Sequence, residues 1–203
     1  MEIHNNGAYC KEDNHAVKYA IANKAKAQKK LKAAERKENR KAVKRLRSND
    51  RKYQFQKTKQ EAQTLANLLD KDLPCICCDE PRGNAQFCGG HYKTAKGHPE
   101  IALDIRNIHG QRNSLCNKHK SGNIEGDKHS KGFKQGVIDR YGQEYLDWLE
   151  SYHPPPNYSC EDLIKLRAEY AAEKRYIKEH GKPSKNWREL PTECETPENS
   201  VIC

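Results

Sequence analysis

Residues Cys75–Asn123 read CICCDEPRGNAQFCGGHYKTAKGHPEIALDIRNIHGQRNSLCNKHKSGN, and this stretch decides the fold. It holds five of the nine cysteines and four of the nine histidines of the 203-residue chain. Large apolar residues are scarce in it, whereas glycines and polar turn residues are frequent. A segment of that kind cannot build a conventional core. Thiols and imidazoles gathered this way are the materials of a metal-built module.

The first pair, Cys75-x2-Cys78, has the spacing of a zinc knuckle, because two intervening residues let both sulfurs reach one tetrahedral ion. Cys116 is the natural third ligand. Cys88, His109 and His119 compete for the fourth place. Cys88 is preferred, since a thiolate there would tie a hairpin to the knuckle. Cys77 is set aside as a bystander, because one-residue spacing seldom suits a shared ion. The bland alternative is a set of free buried cysteines, and zinc would supply the stability such a small core lacks. The expected local order is β-β-α. Gln86–Cys88 and His91–Lys93 form the arms of a hairpin bent at Gly89-Gly90, and Ser114–Gly122 forms a short helix that Gly122 stops.

The same stretch carries a second kind of chemistry. His91 follows two glycines, so the backbone can present its imidazole as a base toward water near neutral pH. A divalent cation beside it would need hard oxygen or imidazole ligands, for which Asn117, His119 and Asn123 are candidates, with Asp104 as a further one. Asn107 is suited either to orient the histidine or to pin the connecting loop through its amide. Lys93, Lys96, Arg106, Lys118 and Lys120, with Arg112, surround these residues and suit phosphate contacts, which position a nucleic acid without reading its sequence. For any single residue the plainer reading is a solvated lysine or a structural histidine. The functional reading rests on the set.

Outside this stretch the chain is polar. Hydrophobic residues are 34%, charged residues 33%, and the mean hydropathy is −1.14. The net charge of +10 is concentrated. Residues 11–60 hold 18 Lys or Arg against 5 Asp or Glu, whereas residues 61–203 hold 20 against 22. A basic segment of that density points to a polyanion, and nucleic acid is the usual one. No apolar run approaches the roughly 20 residues of a membrane span. The N-terminus lacks a signal-peptide pattern. The protein is therefore expected in a reducing cytoplasm, where clustered cysteines mark metal binding rather than disulfides.

The expected organisation follows. Residues 1–12 are a disordered start in which Cys10 has no partner. Residues 13–70 are a basic helical arm, with one helix from about Asp13 to Leu46 and a second ending at Leu69. The second buries Ala62, Leu65, Ala66 and Leu69. Residues 71–126 are the metal-built core. Residues 127–180 are helical, with an aromatic face over Phe133–Tyr152 and a helix over Cys160–His180 capped by Ser159 or Asp162. Residues 181–203 are a mobile tail in which Cys194 and Cys203 show no ligand arrangement. The fold class is α+β: a small zinc-stabilised ββα-metal core flanked by helices, with a long basic N-terminal helix.

Several ordered motifs strengthen the nuclease reading: Asp72-Leu73-Pro74-Cys75, Gly90-His91-Tyr92, Arg106-Asn107-Ile108-His109-x-Gln111, Cys116-Asn117-x2-Lys120-Ser121-Gly122-Asn123, and Tyr141-Gly142-Gln143-Glu144. Over roughly residues 70–180 the chain resembles the NinG/Rap family of lambdoid-phage recombination proteins and, more distantly, HNH (His-Me finger) endonucleases. The resemblance implies a phage-encoded endonuclease acting in the bacterial host on branched double-stranded DNA, such as Holliday junctions and D-loops. It implies a structural Zn²⁺ and a catalytic Mg²⁺ or Mn²⁺. By position it makes His91 the general base, Asn107 the middle HNH residue and Asn117 the third. Three departures stand out. Asn113 takes the place of a family cysteine, Gly90 stands where many HNH enzymes carry Asp, and the N-terminus has Cys10 alone. A zinc-stabilised recombination mediator that binds DNA without cutting it is the alternative. A third reading makes the N-terminal helix a self-association element. A homodimer is attractive for symmetric junction cutting, although no interface is legible in the sequence.

Overall fold

The computed structural model describes the backbone of residues 2–4, 7–9 and 15–17, and residues 18–118 and 122–191 with their side chains. The chain divides into two units, residues 1–50 and 51–203. In the first, β1 (Glu2–His4) and β2 (Gly7–Tyr9) pair antiparallel, where the sequence reads as a disordered start. α1 (His15–Ser48) follows as one uninterrupted helix. Its few large apolar residues, Ile21, Leu31, Val43 and Leu46, are exposed. Helix-forming residues without Pro or Gly favour this length, and the charge on every side leaves no face to bury.

The second unit is α+β. α2 (Arg51–Leu69) lies against a two-stranded antiparallel ribbon, β3 (Phe87–His91) and β4 (Ile108–Arg112), and against α5 (Cys160–His180). Ala62, Leu65 and Ala66 of α2 are fully buried. They share one apolar cluster with Ile105, Ile108, Tyr170 and Ile177. Thr58 Oγ1 donates to the Leu163 carbonyl at 2.7 Å and locks α2 to α5. Ser159 and Asp162 act together at the start of α5 as a reciprocal capping box. Two elements replace the single helix expected over Phe133–Tyr152. α3 (Gly132–Tyr141) and α4 (Gln143–Glu150) are separated at Gly142, whose φ of 91° lies outside the helical range. They bury Phe133, Val137, Tyr145, Leu146 and Leu149 against the knuckle residues Cys75–Cys77.

The hairpin differs from expectation. Gly89-Gly90 is no turn but the middle of β3, whose partner β4 lies about twenty residues downstream, in the register Gly89↔Gly110 and Gly90↔His109. The two glycines serve close approach instead. A Cβ on Gly89 would overlap the Gln63 backbone, with Cα at 2.8 Å, so α2 could not close on the strand. A Cβ on Gly90 would overlap the Gln111 amide, with Cδ at 3.0 Å.

Asp70, at the end of α2, joins the ribbon to the chain beyond α5. Its Oδ2 accepts from the Gly110 amide at 2.7 Å and from Arg188 Nη2 at 3.0 Å. Arg188 Nη1 also donates to the carbonyls of Ile105 and Ile108. Residues 181–191, read from the sequence as the start of a mobile tail, are thus anchored through Arg188. Residues 192–203, with Cys194 and Cys203, lie outside the described residues, as does Cys10. Among the described residues no helix is long and apolar enough to cross a membrane.

Removing one partner of a buried ion pair leaves an uncompensated charge. Asp70→Asn should therefore cost about 3–5 kcal/mol of stability. Urea denaturation of the two proteins measures it, and a loss under about 1 kcal/mol would show that the pair does not anchor this unit.

Candidate metal centre and histidine cleft

The knuckle turns at Cys75–Asp79, with the Asp79 amide donating to the Cys75 carbonyl at 3.1 Å. β4 and the wide helical turn Asn113–Lys118 bring Cys116 over it. The sulfurs of Cys75 and Cys116 are 3.8 Å apart, and those of Cys116 and Cys78 are 3.6 Å apart. A tetrahedral thiolate site with Zn–S near 2.3 Å has S–S edges of about 3.8 Å, so this spacing fits zinc. The buried group Cys75, Cys77 and Cys116, with all sulfurs within 4.8 Å of one another, could hold a metal such as zinc.

Cys77 therefore sits with the group, although sequence spacing sets it aside. Cys88, preferred as the fourth ligand, does not belong to this group. It lies on β3, with Sγ 3.7 Å from the Gln111 carbonyl. His109, weighed for the same place, is a core residue. Its ring packs against Phe133, Tyr141 and Tyr145, and Nε2–H donates to the Arg106 carbonyl at 2.9 Å. Burial keeps it neutral, pushing its pKa well below the ordinary value.

The thiols are strongly polarised. The Cys77 thiol donates to Cys75, whose sulfur also accepts from the Arg112 amide at 3.3 Å, and together these hold the Cys75 pKa down to about 4. Burial pushes Cys116 up to about 12 and raises Cys78. Donation to the Cys75 thiolate raises Cys77 most of all.

Beside this cluster lies a cleft of about 240 Å³ lined by Gln63, Gly89, Gly90, His91, Thr94, Ala95, Asn117, Gly122 and Ile124. It brings His91 and Asn117 together. His91 Nε2 is 2.9 Å from the Ala102 carbonyl, which can only accept, so Nε2 carries the proton. Nδ1 keeps its lone pair, unengaged among the described residues. Desolvation lowers the His91 pKa below 6.5, and Lys59 on α2 adds to the effect. The imidazole is therefore neutral at pH 7.

Asn107 does not reach the cleft. It is fully buried. Oδ1 accepts from the Lys93 amide at 2.8 Å, and Nδ2 donates to the carbonyls of Lys93 and Ile101 at 2.9 and 3.2 Å. The Tyr92 amide donates to its main-chain carbonyl. Asn107 thereby pins the residues that follow His91 to the loop that carries Ala102, and of its two sequence readings the loop-pinning one describes its contacts.

Other candidates are engaged elsewhere. Asn123 Nδ2 donates to Ser130 Oγ at 2.6 Å, and the residue is not part of the cleft lining. Asp104 caps a helical turn through the Arg106 amide. The Arg106 guanidinium binds Asp104 at 2.7 Å and stacks over Trp148, so it is not open to a phosphate. Lys93 is half-buried, with Nζ 3.5 Å from the Ser151 carbonyl, whereas Lys96 and Lys118 are exposed. His119 and Lys120 fall outside the described residues. Sequence reading missed Gln63, which lines the cleft from α2, and Lys59 on the same helix, whose charge acts on His91. Their spacing of four, on a helix of known apolar face, is the only signal that could have marked them. None of the cleft-lining side chains is a carboxylate; its polar donors are neutral amides, a hydroxyl and the imidazole. Such a set can hold a hard divalent cation only weakly by itself.

The family model described as "Bacteriophage Lambda NinG protein" matches residues 2–180. The proteins named "Protein ninG" from Escherichia phage 933W and Escherichia phage lambda are each 34% identical to the chain over 128 residues. That alignment covers 63% of this chain and 60% and 59% of theirs. The protein of the same name from Salmonella phage P22 is 33% identical over a like span. The match thus takes in about three fifths of the length of these curated relatives. No solved structure matches the chain.

Metal analysis and cobalt substitution test the cluster. The purified protein should carry zinc, which Cys75→Ser and Cys116→Ser lose and Cys88→Ser retains. Loss of the metal should lower stability by several kcal/mol, because binding energy here is folding energy. Full zinc retention in Cys116→Ser would refute the assignment.

Proposed function

The chain belongs to the NinG family, and from that premise we propose that residues 51–203 form an HNH-type endonuclease that cuts branched DNA recombination intermediates, Holliday junctions and D-loops among them. One observation carries the reading: His91 and Asn117 line a single cleft, and Asn107 pins the loop that fixes the His91 tautomer. The order histidine, asparagine, asparagine is that of the HNH resemblance.

The chemistry follows from these positions. Neutral His91, held by Nε2–H donation to the Ala102 carbonyl, accepts a proton at Nδ1 from the water that attacks phosphorus. Asn107 is a positioning residue: its amide keeps the backbone around Lys93 and Ile101 at fixed separation, and with it the His91–Ala102 contact. Asn117, directly after Cys116, is held beside the zinc-type cluster and would be the protein's ligand in the cleft for Mg²⁺ or Mn²⁺. When bound, such an ion stabilises the charge developing on the phosphate and the leaving oxygen. Lys93, Lys96 and Lys118 contact phosphates, with Lys120 beside them in the sequence. The α1 arm adds sequence-independent affinity, which suits an enzyme that selects branch shape rather than base sequence.

The absence of a carboxylate among the cleft-lining residues favours a second reading, a zinc-stabilised recombination mediator that binds branched DNA without cutting it. Cleavage of a synthetic four-way junction with Mg²⁺ or Mn²⁺ separates the two. His91→Ala should lose about 10²–10⁴-fold in rate. The wild-type rate should be flat near pH 7 and fall only below the ordinary histidine range, because the deprotonated imidazole is the active form and burial has lowered its pKa. Equal rates for the two proteins would exclude the mechanism, and tight binding without cleavage under either ion would favour the mediator.

The arm makes a separate prediction. Replacing Lys29, Lys30, Lys32 and Arg36 with Gln should flatten the salt dependence of junction affinity by about 0.9 in log–log slope for each phosphate that the arm no longer neutralises. An unchanged slope would remove α1 from the DNA interface.

A further inference from the structure

α4 ends against the residues that follow His91. The Tyr92 hydroxyl donates to Glu150 Oε1 at 2.6 Å, and Lys93 Nζ lies 3.5 Å from the Ser151 carbonyl. Residues 92 and 93 are thus tied to the last residue of α4 and to its C-cap. Lys134 Nζ pairs with the same Glu150 oxygen at 3.3 Å, so that carboxylate is compensated. Lys93, two residues past His91, adds positive charge at this corner.

Tyr152 comes next, and its backbone is fixed on both sides. Before it, the Ser151 amide donates to the Asp147 carbonyl at 2.8 Å, and Ser151 Oγ donates to the Trp148 carbonyl at 2.7 Å. After it, His153 Nε2–H donates to the same Trp148 carbonyl at 3.0 Å, and its ring meets the Trp148 ring edge-on at 4.7 Å. Pro154, Pro155 and Pro156 then stiffen the exit. Between these anchors the Tyr152 side chain is 83% exposed, more than any other large apolar side chain among the described residues. A single exposed aromatic is ordinary on a protein surface. A ring left bare on a backbone held from both ends, beside the residues that follow a cleft histidine, is a preorganised contact surface. Ordering such a rigid side chain costs little entropy.

Resting on the reading that this unit engages branched DNA, we propose that Tyr152 selects the branch: its ring stacks on an unpaired base at the branch point while Lys93 meets the adjoining phosphate. Every base offers a π-face, so the contact is blind to sequence. In continuous duplex the bases are already stacked, and exposing one costs free energy. At a branch or in a displaced strand that cost is largely absent. Lysine contacts to phosphate are available on both kinds of DNA and cannot make the distinction. Tyr152 therefore adds affinity for branched DNA alone. It is a specificity residue, outside the chemistry of the cleft.

Fluorescence of 2-aminopurine, placed as an unpaired base at the branch of a synthetic junction, tests this with the full chain and no added divalent ion. Wild type should quench the probe on binding and should prefer the junction to linear duplex of the same length. Tyr152→Ala should bind the junction about tenfold more weakly and leave the probe bright, while keeping its zinc and its duplex affinity. Tyr152→Phe keeps the ring and should match wild type. Should Tyr152→Ala lose its zinc, Tyr152→Leu, apolar but without a π-face, takes its place. The inference is overturned if Tyr152→Ala binds and quenches like wild type, if it loses junction and duplex affinity equally, or if Tyr152→Phe fails as Tyr152→Ala does. With wild type still preferring the junction, those results leave the branched-DNA reading intact. A wild type without that preference overturns both. Tyr152-dependent quenching without cleavage of the junction in Mg²⁺ or Mn²⁺ would sink the nuclease reading and leave this inference standing.

Discussion

The close approach of backbone to backbone at Gly89 and of side-chain amide to backbone at Gly90 governs the arrangement of the second unit. On one face of β3 the main chain of Gln63 sits where a Cβ of residue 89 would be. On the other the Gln111 amide sits where a Cβ of residue 90 would be. A larger residue at either place would lift α2 off the ribbon or push Gln111 away from Cys77 and Gly122. The same two residues leave β3 bare beside His91, and that is where the cleft opens. Packing and access to the imidazole therefore have one cause.

Two different devices stabilise what surrounds this step. Around α2 and α5 the means is ordinary burial of Ala62, Leu65, Ala66, Tyr170 and Ile177, each side chain adding roughly 25 cal/mol per Å² of apolar area removed from water. Around the knuckle the buried apolar side chains come from α3 and α4, and what they enclose is a set of thiols. A bound ion there would join chain segments about forty residues apart, Cys75–Cys78 and Cys116, much as a core does, and would hold Asn117, the next residue, in place. Asp70 and Arg188 connect these regions: the carboxylate holds Gly110 of β4, and the guanidinium reaches the carbonyls of Ile105 and Ile108, on either side of Asn107. The loop that presents Ala102 to His91 is thus braced by Asn107 from within and by Arg188 from outside.

The distribution of charge complements this. The unit with the cleft carries little net charge, whereas the long basic helix carries most of the excess.

Residue type and short spacing were enough to mark the cysteine knuckle with Cys116, the polar α1, the apolar face of α2 and the capped α5. Each of these rests on a local chemical requirement or on helical periodicity, and both are written in consecutive residues. The partner of β3 was not legible, because Gly-Gly reads as a turn until the helix and the amide pressing on it are known. Nor were the entry of Cys77 into the thiol group, the withdrawal of Cys88, Arg106 and Asn123 to other partners, and the anchoring of Arg188. All of these depend on which distant segment lies within a few ångströms, and strand register and helix packing determine that. The Gln111 amide is the clearest case: its nitrogen donates to Cys77 Sγ and to the Gly122 carbonyl, contacts that exist only because β4, the knuckle and the chain at Gly122 meet in three dimensions.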